Sequence, residues 1–163
     1  MFHSYLDSPI GRLLLTGDGS ALTGLYLAEH VRVVKPLGTR DDSVFVETAR
    51  QLAEYFEGER RVFELPLAPS GTPFQLRVWQ LLQDIGYGER RSYGELAAEL
   101  GNPNAARAVG LANGRNPISI IVPCHRVVGS KGALTGYSGG ITNKQWLLEF
   151  ETRALGGASA VPA

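Results

Sequence analysis

Apolar positions along the chain first recur with the short alternating spacing of strands and later with the spacing of helices. Phe2 to Leu6, Arg12 to Thr16 and Leu22 to Leu27 are strand-like runs. Pro9-Ile10-Gly11 and Gly17-Asp18-Gly19 supply turns between them, so the opening is expected to be a small antiparallel β unit. From Asp42-Ser43 the period lengthens. Phe45, Ala49, Leu52, Ala53 and Phe56 make one helical stripe, which Gly58 ends, and Val62 to Leu65 reads as a further short strand. Pro, Gly and Ser then cluster from Leu67 to Pro73, marking a boundary. Thr72 suits a helix N-cap and Pro73 the first helical position. Phe74, Val78, Leu81, Leu82 and Ile85 share a face of that helix, with Trp79 beside them in the core.

Beyond this boundary the pattern is helix, tight turn, helix, apolar run. Ser92 and Glu95 match a capping box, and Tyr93, Leu96, Ala97 and Leu100 give the spacing of a short amphipathic helix stopped by Gly101. Asn102-Pro103 opens a second helix, reaching about Asn113 and closed by Gly114, built largely from Ala, Gly and Val. Two short helices joined this way form a helix-turn-helix. Its second helix is slim, with Asn104, Arg107 and Leu111 on one side, where Arg107 either projects toward a partner or is merely solvated. Ile118 to Val122 reads as a buried strand ending at Pro123, Cys124 and His125. A glycine-dense loop, Gly129 to Gly140, suits close approach to a ligand. The last helix opens with a second capping-box pattern, Thr142 to Gln145. It carries Glu151 beside Trp146, Leu147 and Phe150, a half-buried carboxylate that needs a partner. The expected fold class is therefore α+β in two domains. Residues 1–68 form a small antiparallel β-sheet with a helix, residues 72–155 a mainly helical domain, and residues 156–163 a flexible tail.

With 163 residues, 44% hydrophobic and 20% charged, the chain has the balance of a globular protein. Lys+Arg and Asp+Glu both number 16, so net charge argues for no particular partner. Its distribution says more. No acidic residue falls between Gly101 and Leu148, where Arg107, Arg115, Arg126, Lys131 and Lys144 all lie, as a phosphate-contacting face would require. No apolar run approaches the roughly 20 residues of a membrane span, and Met1-Phe2-His3-Ser4 lacks the features of a signal peptide. One cysteine allows no internal disulfide and fits a reducing, cytoplasmic setting. His3, His30 and His125 are far apart, so neither a metal site nor a cofactor is expected.

Cys124 is the chemical focus. A free thiol has a reference pKa of about 8.5 and needs a neighbouring base or cation to become a nucleophile. His125 is adjacent, and Glu151 could accept its other imidazole proton. A lone cysteine can equally be a small core hydrophobe, and these residues alone leave both readings open.

Pro123-Cys124-His125-Arg126-Val127, preceded by Asn116-Pro117, resembles the active-site signature of the O6-alkylguanine-DNA alkyltransferases, also called methylated-DNA–protein-cysteine methyltransferases. The resemblance extends to Arg90 through Ala97, Asn102-Pro103, Ala105 through Gly110, Gly136 through Gly140 and Lys144 through Leu148. It covers roughly residues 72 to 151, and Asp7 to Gly11 fits the family's leading domain. It implies single-turnover repair, in which Cys124 takes the alkyl group from O6-alkylguanine, and also from O4-alkylthymine. His125, through water, and Glu151 then match the base relay, and Asn116 the residue that ties down the active-site turn. Tyr93 and Lys144 match the positions that help guanine depart. Tyr137, Ser138 and backbone groups at Cys124 and Val127 wall the guanine pocket. Arg107 matches the arginine that enters the base stack where the nucleotute was extruded, and Tyr93, Asn102, Ala106 and Arg115 complete the DNA-contacting set. The slim helix would enter the minor groove. The implied partner is double-stranded DNA carrying alkylated guanine, bound by a monomer with no obligatory protein partner. Some relatives carry zinc on cysteines of the leading domain, which this chain lacks.

Three other readings compete. A damage-binding module without chemistry would have the nucleophile replaced, and Cys124 is present. A sequence-specific regulator needs base-reading side chains that the slim helix lacks. A papain-like hydrolase wants its histidine far from its cysteine in sequence.

Overall fold

The computed structural model describes residues 1–28, 37–134, 137 and 140–156, with Lys131 described by its backbone alone. Two compact units emerge: Met1–Ser70 with Pro117–Ser119, and Gly71–Asn116 with Ile120–Ala163.

In the first unit, β1 (Phe2–Ser8), β2 (Gly11–Gly17) and β3 (Leu22–Leu27) form the expected antiparallel meander. A fourth, two-residue strand, β4 (Thr39–Arg40), pairs parallel to β1, so the sheet is mixed, in the order β3-β2-β1-β4. Leu13, Leu14 and Leu15 of β2 and Leu22, Leu25 and Leu27 of β3 are all buried, so β2 buries side chains on both faces. Helix α1 (Val46–Phe56) follows a 3-10 turn capped by Asp41, whose carboxylate accepts from Ser43 N. Its buried face is only in part the stripe expected from spacing, which holds at Phe45 and Leu52. Thr48, Gln51, Leu52 and Tyr55 are buried, while Ala53 is exposed. The rotation has two visible causes. Tyr55 packs against the rings of Phe56 and Phe63, and Gln51 turns inward to bond the backbone of Glu64 at both N and O. Those two bonds also explain why Val62 to Leu65 is not a strand. A side chain satisfies the Glu64 backbone, and Leu67 makes only an isolated bridge to Leu22.

The second unit is mainly helical. Helix α2 (Pro73–Leu82) has the Thr72–Gln75 capping box and buries Val78, Trp79 and Leu82. Helix α3 (Tyr93–Glu99) has the Ser92–Glu95 box, and a tight turn at Gly101 (φ 83°) leads through a 3-10 turn to α4 (Ala106–Gly114). The Trp79 indole donates to Ala112 O at 2.8 Å, tying α2 to α4.

The apolar run before Cys124 is buried, as its composition demands, but it is not a strand. Only Ile118 bridges, to Leu25, in the first unit. Ser119 to Ile121 then turn, with Ile120 at φ 71°, the left-handed region that branched residues avoid. Cys124–Arg126 form a 3-10 turn, followed by β6 (Val127–Val128), which pairs parallel with β5 (Arg91–Ser92). Helix α5 (Ile141–Gly156) begins one residue before Thr142, with Lys144 N bonded to Gly140 O. Thr142 is thus inside the helix and not its cap. The expected tail at 156–163 lies, beyond Gly156, outside the described residues.

Candidate active site around Cys124

The turn at residues 119–123 is what presents the cysteine. Asn116 Nδ2 donates to Val122 O at 2.8 Å, closing this turn from one side. Cys124 follows at the start of the 3-10 turn and is 2% exposed. Because Cys124 and His125 sit on a turn and not on a strand, they need not point to opposite faces.

His125 is fully buried, and its Nε2 donates to Glu151 Oε2 at 2.7 Å. Its Nδ1 is buried and has no hydrogen-bond partner among the described residues. Glu151, fully buried on α5, is held from three directions. Arg126 Nε and Nη2 donate to its two oxygens at 2.9 Å each, and Gly88 N donates to Oε1 at 3.2 Å. Arg126 also donates to Ile85 O at 2.7 Å and lies 5.6 Å from the centre of the Tyr87 ring. The half-buried carboxylate expected from the sequence is thus wholly buried, and its partners are His125 and the arginine next to it.

The charge states follow from this arrangement. Burial would raise the Glu151 carboxyl, but pairing with His125 and Arg126 outweighs it and holds the group well below the usual carboxylate range. Burial pulls His125 down and prevails over its pairing with Glu151. Arg126 supplies a permanent counter-charge, so Glu151 stays ionised while the imidazole is neutral. With Nε2–H committed to the carboxylate, Nδ1 carries the lone pair. The result is a neutral imidazole ready to take a proton and a carboxylate ready to stabilise the cation formed.

Lys144 is the second buried cation. It is 0% exposed, and burial pulls it down to about 8, opposed by the charge that Cys124 would carry as a thiolate. Its Nζ lies 6.0 Å from the centre of the Tyr93 ring, the first residue of α3. Gly110 of α4 packs against that ring, where a Cβ would stand in ordinary contact at 3.7 Å. Val127 is buried on β6, and Tyr137 is 8% exposed. Ser138 lies outside the described residues.

The structure separates the remaining candidates from this cluster. Asn102, Arg107 and Arg115 are exposed and Ala106 is half-buried, all on or flanking α4. The acid-free stretch is also not one positive face. Arg126 and Lys144 are buried, and among the described side chains only Arg107 and Arg115 carry its charge to solvent. Sequence reasoning passed over Arg126 as the partner of Glu151. The available signal was an arginine directly after the apolar run, with an unpaired glutamate on an apolar helix face. Asn113 was passed over too. It is 2% exposed, and its Nδ2 donates to Cys124 O at 3.3 Å. Among the described residues, no group of three or more His, Cys, Asp or Glu side chains comes together as a metal site would need.

Comparison with known proteins points to one family across the chain. Residues 73–153 match the family model described as 6-O-methylguanine DNA methyltransferase, DNA binding domain. Residues 1–69 match its counterpart, 6-O-methylguanine DNA methyltransferase, ribonuclease-like domain. The chain is similar to the methylated-DNA–protein-cysteine methyltransferase of Methanosarcina acetivorans, 49% identical over 156 residues, covering 93% of this chain and 98% of that one. The protein of that name from Mycobacterium leprae is 53% identical over 147 residues, covering 90% and 89%. Among solved structures, Mycobacterium tuberculosis OGT in complex with DNA superposes with a TM-score of 0.90 at 51% identity, covering 94% of each chain.

Proposed function

Because the chain belongs to the 6-O-methylguanine DNA methyltransferase family, we propose that it repairs DNA by moving an alkyl group from O6 of guanine onto its own Cys124. The observation that carries this reading is the buried His125, hydrogen-bonded to the Glu151–Arg126 pair, directly beside the single cysteine. His125 Nδ1, through one water, takes the thiol proton, and Glu151 stabilises the imidazolium. The thiolate attacks the alkyl carbon. A carbon–sulfur bond forms as the carbon–oxygen bond breaks, and the electron pair leaves with guanine. The Tyr93 hydroxyl gives guanine the proton it needs, and Lys144 supports the charge in transit. Asn116 holds the turn that presents the sulfur. A thioether is a poor leaving group, so each molecule reacts once.

The target atom is inaccessible inside a duplex, and extruding the nucleotide costs a few kcal/mol. Arg107, exposed on α4, fills the vacated stack, with Tyr93, Asn102, Ala106 and Arg115 contacting the strand around it. The Ala and Gly of α4 suit a minor groove about 6 Å wide. Val127, Tyr137 and Ser138 wall the base pocket. The protein acts as a monomer without a cofactor, inside the cell, where its thiol stays reduced.

Intact-mass measurement after incubation with a duplex containing O6-methylguanine tests the reaction. One methyl is expected on Cys124, saturating at one equivalent, and an unmodified protein would overturn the reading. Arg107→Ala is expected to slow repair of duplex DNA much more than reaction with a free-base analogue. Equal losses on both would remove the flipping role.

A further inference from the structure

One residue of the turn before Cys124 holds a backbone conformation that its own side chain opposes. Ile120 has φ 71°, and among the described residues no other residue except glycine has a positive φ. The left-handed region brings Cβ against the following carbonyl, and branching at Cβ worsens the crowding. The conformation persists because the chain is fixed on both sides of it. Before it, Leu25 N donates to Pro117 O at 2.8 Å and Ser119 N donates to Leu25 O at 3.0 Å. After it, Val122 O accepts from Asn116 Nδ2 at 2.8 Å and from Cys124 N at 2.7 Å, the second bond closing an inverse γ-turn at Pro123. The Ile120 side chain is itself 1% exposed, enclosed by the core. Glycine adopts this φ without strain, so backbone stability does not explain an isoleucine here.

We infer that Ile120 is a positioning residue for alkyl transfer, its stiff and buried side chain locking the strained turn and so fixing where the sulfur of Cys124 stands. The inference rests on the alkyl-transfer reading. Glycine at this position would also visit other conformations, and the Val122 carbonyl and the sulfur beyond it would wander with them. Isoleucine, restricted at χ1 and enclosed, admits one. Strained residues persist where their surroundings over-determine them, and they concentrate at sites of chemistry. Displacing a reacting atom by about 1 Å is enough to slow a reaction about 100-fold. Holding the turn still thus serves the reaction at a cost to stability.

Ile120→Gly and Ile120→Ala test this as a pair, because both delete the branched side chain and they differ in their tolerance of a positive φ. At an ordinary buried position glycine is the less stable of the two. Here Ile120→Gly is expected to unfold at the higher urea concentration and yet to react more slowly. Its single-turnover methylation of Cys124 should fall about tenfold below wild type, further than that of Ile120→Ala. The loss should be equal on a duplex carrying O6-methylguanine and on O6-methylguanine as the free base, with affinity for the duplex unchanged. A residue that only filled space would not make the more stable variant the slower one. A higher urea midpoint for Ile120→Ala would overturn the inference. So would a wild-type rate in Ile120→Gly, or a slowing confined to the duplex. If neither variant folds, Ile120→Leu, which keeps the buried volume and loses the branch at Cβ, is expected to fold and to react more slowly with both substrates, and a wild-type rate there would overturn the inference. If wild-type Cys124 takes no methyl from either substrate, the alkyl-transfer reading fails instead.

Discussion

The two units use ion pairs in opposite ways. On α1, Arg50 reaches Glu47 and Glu54 along one helix face, with side-chain exposures of 51%, 54% and 30%. Around Cys124, Arg126, Glu151 and His125 form a comparable trio at 7%, 0% and 0%. Exposed pairs contribute little, because water solvates each partner nearly as well as the other does. Buried charges lose several kcal/mol of hydration each, and hydrophobic replacements are often as stable or better. The buried trio is therefore poorly explained by stability alone. Its geometry makes sense as the means of holding an ionised carboxylate against a neutral imidazole beside the nucleophile, and perturbed titratable groups concentrate where such chemistry is done.

The contrast can be broken most severely at Glu151. Glu151→Ala leaves Arg126 buried without its counter-ion, and a loss of about 3–5 kcal/mol is expected in denaturant unfolding, together with slower methyl transfer. A loss no larger than that of a surface variant would contradict this account of the trio. Lys144 should behave in the reverse sense for stability. Burial moves it from 10.5 to about 8, and at 1.36 kcal/mol per unit this corresponds to roughly 3 kcal/mol of destabilisation. Lys144→Met should therefore raise stability at pH 7 by an amount of that order while slowing transfer. The unfolded chain keeps the lysine proton up to 10.5, whereas the folded one releases it near 8. The burial penalty is therefore complete below about pH 8 and fades above it, and the methionine variant's advantage should shrink over the same range. An unchanged or lowered midpoint at pH 7 would refute this.

A smaller effect is expected from acid. His125 in the folded state binds its proton less readily than at its reference value of 6.5. The unfolded chain thus takes up more protons as pH falls below that point, and stability should decline there. Glu151, depressed from 4.5, adds a further loss at lower pH. Urea midpoints followed from pH 8 to pH 5 check the first part, and a flat profile would count against a buried neutral imidazole. Glu47→Gln should change least. Its carboxyl is lowered to about 2, chiefly by Arg50, but the pair lies on the solvent-exposed face of α1. Its unfolding midpoint is expected to match the parent's, and a shift near that of Glu151→Ala would erase the contrast.

Much of this was legible in the chain. Ser92 and Thr72 announced their helices because a capping box is a local device, satisfied within four residues. The family resemblance read from Pro123 to Val127 and its flanking motifs is borne out by two family models that together span most of the chain. Local rules failed where a distant group intervened. Val62 to Leu65 has strand composition, yet Gln51 takes the backbone of Glu64. Thr142 resembles a cap, yet α5 already begins at Ile141.

The run from Ile118 to Val128 shows where the division falls. Its composition alone determined that it would be buried and that a cysteine, a histidine and an arginine would follow in succession. Composition could not make it a strand, because Asn116 ties Val122 back and Ile120 takes a left-handed turn. Nor could it tell which charge would neutralise Glu151, since sequence distance does not report spatial distance. Packing placed α5 so that Glu151 meets both His125 and Arg126. Only the contact of His125 with Glu151, across 26 residues of chain, settles which imidazole nitrogen carries the lone pair.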